Sequence, residues 1–326
     1  MKCYSVLAGM VLGLVGCAGY PVLPSARAAD VVEVATVGNP NPIAWPGLIA
    51  EHAGMFAAEA LEVKQLYVAS SAQLAQQLAA GSLNVGGSTA LVDTIRASHQ
   101  GAPIALLRLE GQKAPFALVG KPTINRIQDL RGKTVMIGGP KDITRFYLDR
   151  MLAPNGLKYG DYELAYAGAT PARYAALKSG AVDAVILFPP FNLLALADGF
   201  SDLGGVVDYA PNLPFSGTSV NKTWAEANKP VVDRYLRAIN RAIDFFNTDA
   251  NRERAVAIMV DAMKGKQEDL AKTYDFFRRI NFYSPTPQVS RTKVNEIINT
   301  MKASGDLPAD FDMNKIFLSG VTQVVD

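Results

Sequence analysis

Cysteine is nearly absent from this 326-residue chain: Cys3 and Cys17 are its two, and none follows. A fold built beyond residue 17 holds together without a disulfide and works without a thiol nucleophile. Histidine is equally scarce. His52 and His99 stand far apart, and Glu51-His52 lacks the second histidine of a zinc-protease helix. No Gly-x-Ser-x-Gly elbow occurs, so a Ser/His/Asp set has no visible anchor. Arg131-Gly132-Lys133-Thr134 looks like the end of a phosphate loop. That motif needs a glycine where Ile127 stands, and a strand before it, whereas here the strand follows. No catalytic residue, metal ligand or cofactor is therefore expected, and the chain reads as a non-enzyme.

Excess charge is also missing. Lysine and arginine number 32 against 30 acids. Residues 1–28 contain Lys2 and Arg27 and no acid, so the remainder carries no net charge with its histidines neutral. A nucleic-acid footprint is excluded on that ground, and any charge preference must come from a few placed groups. Nor is there a long apolar run: Val6–Val15 falls short of the roughly 20 residues needed to span a bilayer.

What is present begins with that run. Lys2, the apolar stretch, Pro24 and Ala26-Arg27-Ala28 form a secretory signal peptide, expected over 1–28 with cleavage after Ala28. Leu14-Val15-Gly16-Cys17 resembles a bacterial lipobox and offers lipid anchoring through Cys17 as the alternative. Either route takes the protein to the periplasm.

The remainder says one thing twice. "LAAGSLNVGGSTALV" (78–92) and "LKSGAVDAVILFPPF" (177–191) place Leu78 with Leu177, Gly81 with Gly180, Leu83 with Val182 and Asn84 with Asp183. Around the first copy, "DVVEVATV" (30–37), "LEVKQLYV" (61–68) and Leu83–Val85 read as strands. Helices are expected over Trp45–Phe56, Ala72–Ala80 and Thr89–Gln100. Around the second, strands at "GKTVMIGG", "YELAYAG" and Val182–Leu187 alternate with helices Ile143–Leu152 and Pro171–Lys178. Alternating β and α elements imply an α/β fold with parallel sheets in two lobes. Beyond Ala225 the pattern is helical, with Val231, Val232, Tyr235, Leu236, Ile239, Ile243 and Phe246 on one face. Ser219-Val220 reads as a strand returning to the first lobe. The expected division is 29–118 for the first part of lobe 1, 119–215 for an inserted lobe 2, and 216–326 for the return strand and helical tail.

Ligands of open parallel sheets bind at the carboxyl ends of the strands, where helix N-termini offer free N–H groups. The loops there give the candidate ligand-binding residues: Asn41, Trp45, Ser70, Ser71, Ser88, Thr89, Lys141, Asp142, Thr144, Phe188, Phe191 and Ser216. Asp142 opens a helix as an acid, with Lys141 and Arg145 as candidate compensating cations. Phe-Pro-Pro-Phe (188–191) makes a stiff aromatic wall, and Phe215 is either wall or core.

The stretches "WPGLIAEHAGMFAAEALEV", "SAQLAQQLAAGSLNVGGSTA", "IQDLRGKTVMI", "AALKSGAVDAVILFPPF" and "NKPVVDRYLRAINRAIDFF" resemble substrate-binding proteins of nitrate/sulfonate/taurine-type ABC transporters, a family that includes pyrimidine-precursor binders. The resemblance runs from about Val31 to about Phe317. It implies a type II periplasmic binding fold: two lobes on a two-segment hinge, closing as a monomer on a small molecule and docking on a membrane permease. Aromatic and proline content suggests an organic anion with an aromatic or apolar body. The alternatives are a pyrimidine-precursor synthase-like enzyme and a ligand receptor for a sensor kinase.

Overall fold

The computed structural model describes residues 28–326, so the signal-peptide and Cys17 expectations lie outside the described residues. Within them, no helix is long and apolar enough to cross a membrane.

The strands are β1 (Asp30–Val37), β2 (Leu61–Val68), β3 (Val85–Ala90), β4 (Ile104–Leu109), β5 (Ala117–Gly120), β6 (Thr134–Ile137), β7 (Glu163–Tyr166), β8 (Ala184–Leu187), β9 (Ser201–Gly205) and β10 (Ser216–Asn221). They form two five-stranded sheets ordered β2-β1-β3-β10-β4 and β7-β6-β8-β5-β9. A short parallel pair, Val289–Ser290 with Val324–Val325, lies near the C-terminus. The helices are α1 (Trp45–His52), α2 (Met55–Ala58), α3 (Ser71–Ala80), α4 (Leu91–His99), α5 (Ile143–Leu152), α6 (Thr170–Lys178), α7 (Phe191–Ala197), α8 (Val206–Tyr209), α9 (Lys222–Ala227), α10 (Lys229–Asn247), α11 (Arg252–Met263), α12 (Gln267–Arg279) and α13 (Arg291–Ala303).

Each sheet is mixed rather than wholly parallel. β1 runs parallel to β2 and β3, and β6 parallel to β7 and β8, as βαβ connections require. The antiparallel members are the strands that cross between lobes. β10 pairs antiparallel with β3 and β4, and β5 antiparallel with β8 and β9. A strand arriving directly from the other sheet needs no crossover helix, so nothing forces it parallel. The two crossings hydrogen-bond each other: Glu110 N–H donates to Ser216 O (3.0 Å), and the amides of Phe215 and Ser216 donate to Gly111 O (2.7 and 3.1 Å). This paired strap joins the lobes.

The internal repeat has a structural meaning. Asn84 donates its N–H to Glu33 O and accepts from Glu33 N–H through Oδ1 (3.1 and 2.8 Å). Asp183 does the same with Thr134 in the second lobe, at 2.9 and 3.0 Å. One residue in each copy thus fixes the start of the third strand against the first.

β3 departs from expectation. It runs to Ala90, and α4 begins only at Leu91, although Gly-Gly-Ser-Thr carries little strand propensity. The reason is tertiary. A Cβ on Gly86 would come within 2.4 Å of Leu74 Cδ2 and Thr89 Oγ1, so α3 packs against β3 closely enough to demand a bare backbone. β9 and α7 also form where no periodic pattern announces them.

The tail supplies the core beside the first sheet. Val231, Val232, Tyr235, Ile239, Ile243 and Phe246 of α10 are buried and Leu236 partly so. Trp45, Phe246, Tyr274, Phe277, Phe282 and Tyr283 form one aromatic cluster; Trp45 meets Phe246 edge-on at 5.2 Å and Phe277 at 6.1 Å.

Candidate functional site

The carboxyl ends of both sheets face one cavity of about 890 Å³. The first lobe contributes the loop after β1, the start of α3, the end of β3 and the first turn of α4. The second contributes the loop after β6, the start of α5, residues 168–173 and the end of β8. The lobes also touch beside it, Gly168 approaching Ala69 and Ser70.

Of the residues expected from sequence, Asn41, Ser70, Ser71, Ser88, Lys141, Asp142, Thr144, Phe188 and Phe191 line this cavity. Trp45, Thr89 and Ser216 do not. Trp45 is wholly buried in the aromatic cluster, where its Nε1–H donates to Ala255 O at 2.7 Å. A large ring at the first position of an amphipathic helix satisfies the core first. Thr89 points inward from β3, its hydroxyl donating to Gly86 O. Ser216 stands one layer behind the wall, Oγ to Oγ with Ser88 at 2.7 Å.

Several wall groups are engaged by the chain itself. Asn41 accepts from Ile43 N–H and donates to Val37 O and Asn39 O, so it shapes the loop. Ser70 caps α3 by accepting from Gln73 N–H. Ser88, at φ +65°, leans on Ser216 and on Glu110, a buried carboxyl that also accepts from the Thr218 hydroxyl. Burial pushes Glu110 above the usual carboxylate range, opposed by Arg108, Thr218 and Ser88.

Five wall residues with charged or aromatic side chains were not among the candidates: Asp93, Arg96, Arg173, Phe116 and Phe215. Asp93 and Arg96 were hidden by the early helix start; with β3 ending at Ala90, Asp93 falls in the first turn of α4. Arg173 gave no signal. It is buried, and its guanidinium donates to Ile186 O (2.7 Å), Ala167 O (2.8 Å), Gly168 O (2.9 Å) and Thr170 Oγ1 (2.9 Å), tying the α6 entry loop to β8. Burial lowers its pKa to about 10, partly offset by Asp142.

Phe116, Phe188 and Phe215 pack into one aromatic wall, Phe116 edge-on to both others at 5.2 and 5.3 Å. A charged cluster lines the same cavity. Arg96 donates to Asp93 Oδ1 (2.9 Å), to Asp306 Oδ2 (2.8 Å), and across the cleft to Lys141 O (3.0 Å). Its Nε is sealed from the cavity without a partner. Asp93 is pushed up to about 6, first by burial and also by the Asp142 charge, against hydrogen bonding from Ser71 and Arg96. Asp142 caps α5, accepting from Thr144 N–H (2.9 Å) and the Thr144 hydroxyl. The expected compensation of Asp142 by Arg145 and Lys141 does not form: Arg145 pairs with Asp149 (2.9 Å), and Lys141 Nζ leans 3.5 Å from Asp306.

Comparison with known families matches residues 41–251 to the model described as NMT1/THI5 like. The chain belongs to the NMT1/THI5-like family. Proteins of solved structure share its fold across nearly the whole chain. The periplasmic aliphatic sulphonate-binding protein SsuA of Escherichia coli aligns with TM-score 0.72 at 18% identity, covering 90% of this chain and 98% of that one. The periplasmic nitrate-binding protein NrtA of Synechocystis PCC 6803 aligns at 0.69 and 15%, covering 88% and 84%. The desulfurization enzyme DSZB aligns at 0.66 and 13%, covering 88% and 96%, so the fold also carries catalysis. No curated protein sequence matches the chain. The architecture is thus the periplasmic binding protein fold: two α/β lobes facing each other across a cleft.

Proposed function

We propose that this NMT1/THI5-like protein captures a small organic solute between its lobes outside the cytoplasm and delivers it to an ABC transporter permease. The observation that carries the reading is the cavity of about 890 Å³, whose walls come from both sheets' carboxyl ends. A solute held there touches both lobes at once, and so favours closure over opening by its differential contacts. The Phe116, Phe188 and Phe215 wall suits a flat apolar body. The starts of α3 and α6, at Ser70–Ser71 and Thr170, suit an acid group on that body.

The cavity wall holds no histidine or cysteine among the described residues; His52 bonds Leu48 O and His99 packs on Phe311. Ser70 caps α3, Ser71 bonds Asp93, and Ser88 bonds Ser216 and Glu110, so each wall serine is tied into the chain's own hydrogen bonding, which favours binding over turnover. The boundaries we assign are the strap segments 110–116 and 206–215, between which residues of the second sheet form a lobe inserted into the first.

Small-angle scattering of the purified protein against a panel of aromatic and aliphatic acids tests this. Solute-dependent contraction without solute turnover is the expected result. Conversion of a solute, or binding with no change in shape, would replace the reading.

A further inference from the structure

Resting on this solute-capture reading, we infer that Glu110 is a positioning residue for the solute. Sealed behind the cavity, its carboxylate holds the Ser88 hydroxyl turned inward, so Ser88 meets the solute as a hydrogen-bond acceptor and selects an O–H or amide N–H group. Ser88 lies on β3 and lines the cavity. Its φ of +65° is unfavourable for a residue with a Cβ. Its side chain is anchored to both segments of the strap, with Oγ 2.7 Å from Ser216 Oγ and a second bond to Glu110. Glu110 is 4% exposed. Its N–H donates to Ser216 O and its carbonyl accepts from Ser284 N–H, both at 3.0 Å, so its backbone is fixed as well.

The proton count decides what Ser88 can offer. A hydroxyl has one proton and two lone pairs, and a carboxylate has no proton to give. The Thr218 hydroxyl donates to Glu110 Oε1, and Ser88 is the second hydroxyl bonded to that carboxyl. With its proton on Glu110, Ser88 accepts from Ser216, and one lone pair remains for the cavity. If Ser88 donates to Ser216 instead, its proton is again used inside the chain. Neither arrangement leaves a proton for the solute. The first is the stronger, because its acceptor is charged.

The surroundings keep Glu110 ionised. Burial raises its pKa, and Arg108, Thr218 and Ser88 act against that rise. Arg108 is itself buried, and its guanidinium donates to Asn240 and to the carbonyls of Leu109, Ser284 and Thr286, with no carboxylate bonded to it among the described residues. An arginine does not shed its proton, and Glu110 is the acid whose charge acts on it most strongly. A void of about 20 Å³ also touches Glu110, lined by Thr36, Gln65 and Tyr235 among others. It has room for one water, and Tyr235, 2% exposed, has no hydrogen-bond partner for its hydroxyl among the described residues.

The other wall serines are set differently. Ser71 accepts from Ala90 N–H and gives its proton to Asp93, whereas Ser70 accepts from Gln73 N–H and keeps its proton. Ser70 can therefore donate to an acid group at the start of α3, while Ser88 accepts from a donor elsewhere on the same body. An ether or carbonyl oxygen placed against Ser88 would meet lone pair with lone pair.

Neutron diffraction from the perdeuterated exported protein at neutral pD reads the hydroxyl directly. The Ser88 deuteron is expected on the line to Glu110 or to Ser216, with none on the Glu110 carboxyl. A Ser88 deuteron pointing into the cavity, or a deuteron on Glu110, would overturn the inference. No solute is needed, so this result is separate from whether the protein contracts around one. For a solute that does contract it in scattering, calorimetry follows on Ser88→Ala, Glu110→Gln and the double variant. A glutamine amide donates toward Ser88 and frees the serine proton to face the solute. Each single variant should weaken binding about three- to tenfold, and the double variant should lie within about twofold of Ser88→Ala. Losses that simply add, or a folded Glu110→Gln protein that binds as before, would refute the positioning role. If Glu110→Gln does not fold, the neutron map decides alone. Absence of contraction with every solute would remove the capture reading, whatever the map shows.

Discussion

Replacing Arg96 by methionine should open the cleft. The guanidinium is the point where α4 of the first lobe, the α5 entry of the second, and Asp306 of the tail meet. Its bond to Lys141 O, at 3.0 Å, crosses between lobes. A hydrogen bond from a charged donor contributes about 1.5–3 kcal/mol. The accompanying Lys141–Asp306 contact is long, at 3.5 Å, and Lys141 is 71% exposed, so screening leaves it at about 0–1 kcal/mol. The other bridge between α5 and the tail, Arg150 to Glu296 and Thr300, is nearly half exposed and contributes on the same small scale. Each 1.4 kcal/mol is tenfold, so Arg96→Met should raise the open-to-closed ratio by roughly ten- to a hundredfold in the solute-free protein. Methionine keeps most of the apolar stem, which limits the packing loss. The assay is fluorescence transfer between dyes at Glu62→Cys and Glu163→Cys, exposed positions on the two edge strands. A chain expressed from residue 29 onward contains no competing cysteine. A folded variant whose transfer distribution matches the parent within twofold would refute the clasp.

Asp93 gives a prediction with a worked sign. Its folded pKa, about 6, lies above the 3.8 of a free aspartate, so its contribution is fully present below pH 3.8 and is lost as the pH rises through 6. The shift corresponds to roughly 3 kcal/mol held against the protein at neutral pH, so Asp93→Asn should raise Tm there by about 2–6 °C; at pH 4 the gain should vanish. A lower Tm at neutral pH would mean the pair with Arg96 outweighs desolvation. Trp45→Phe should lose about 0.5–1.5 kcal/mol in denaturant unfolding, from the lost indole hydrogen bond to Ala255 O, which keeps its helical partner in α11, with solute affinity unchanged. A change in affinity without loss of stability would return Trp45 to the binding wall. Gly138→Ala should push Asp142 off the α5 terminus and cost about 0.5–2 kcal/mol as a lost cap, read by denaturant unfolding.

Local pattern determined much of this protein. Period-two apolar runs placed β1 and β2 to the residue, and 3.6-residue periodicity placed α5 and the buried face of α10, because those elements bury one face against a neighbour that any sequence of that period would need. The 78–92 and 177–191 repeat foretold two lobes, and Asn84 and Asp183 turn out to do one job in each. Tertiary structure decided the rest. Whether Trp45 faces a ligand or a core depends on α10 and α12 arriving from beyond residue 229, which no local window contains. β3 is a strand despite Gly-Gly-Ser-Thr because α3 presses on it, and that shift carried Asp93 and Arg96 into the cleft. Arg173 reads as an ordinary surface arginine until β8 and the α6 entry loop surround it with carbonyls. The meeting of Asp93 with Asp142, 49 positions apart, exists only because the strap folds one sheet's carboxyl edge onto the other's.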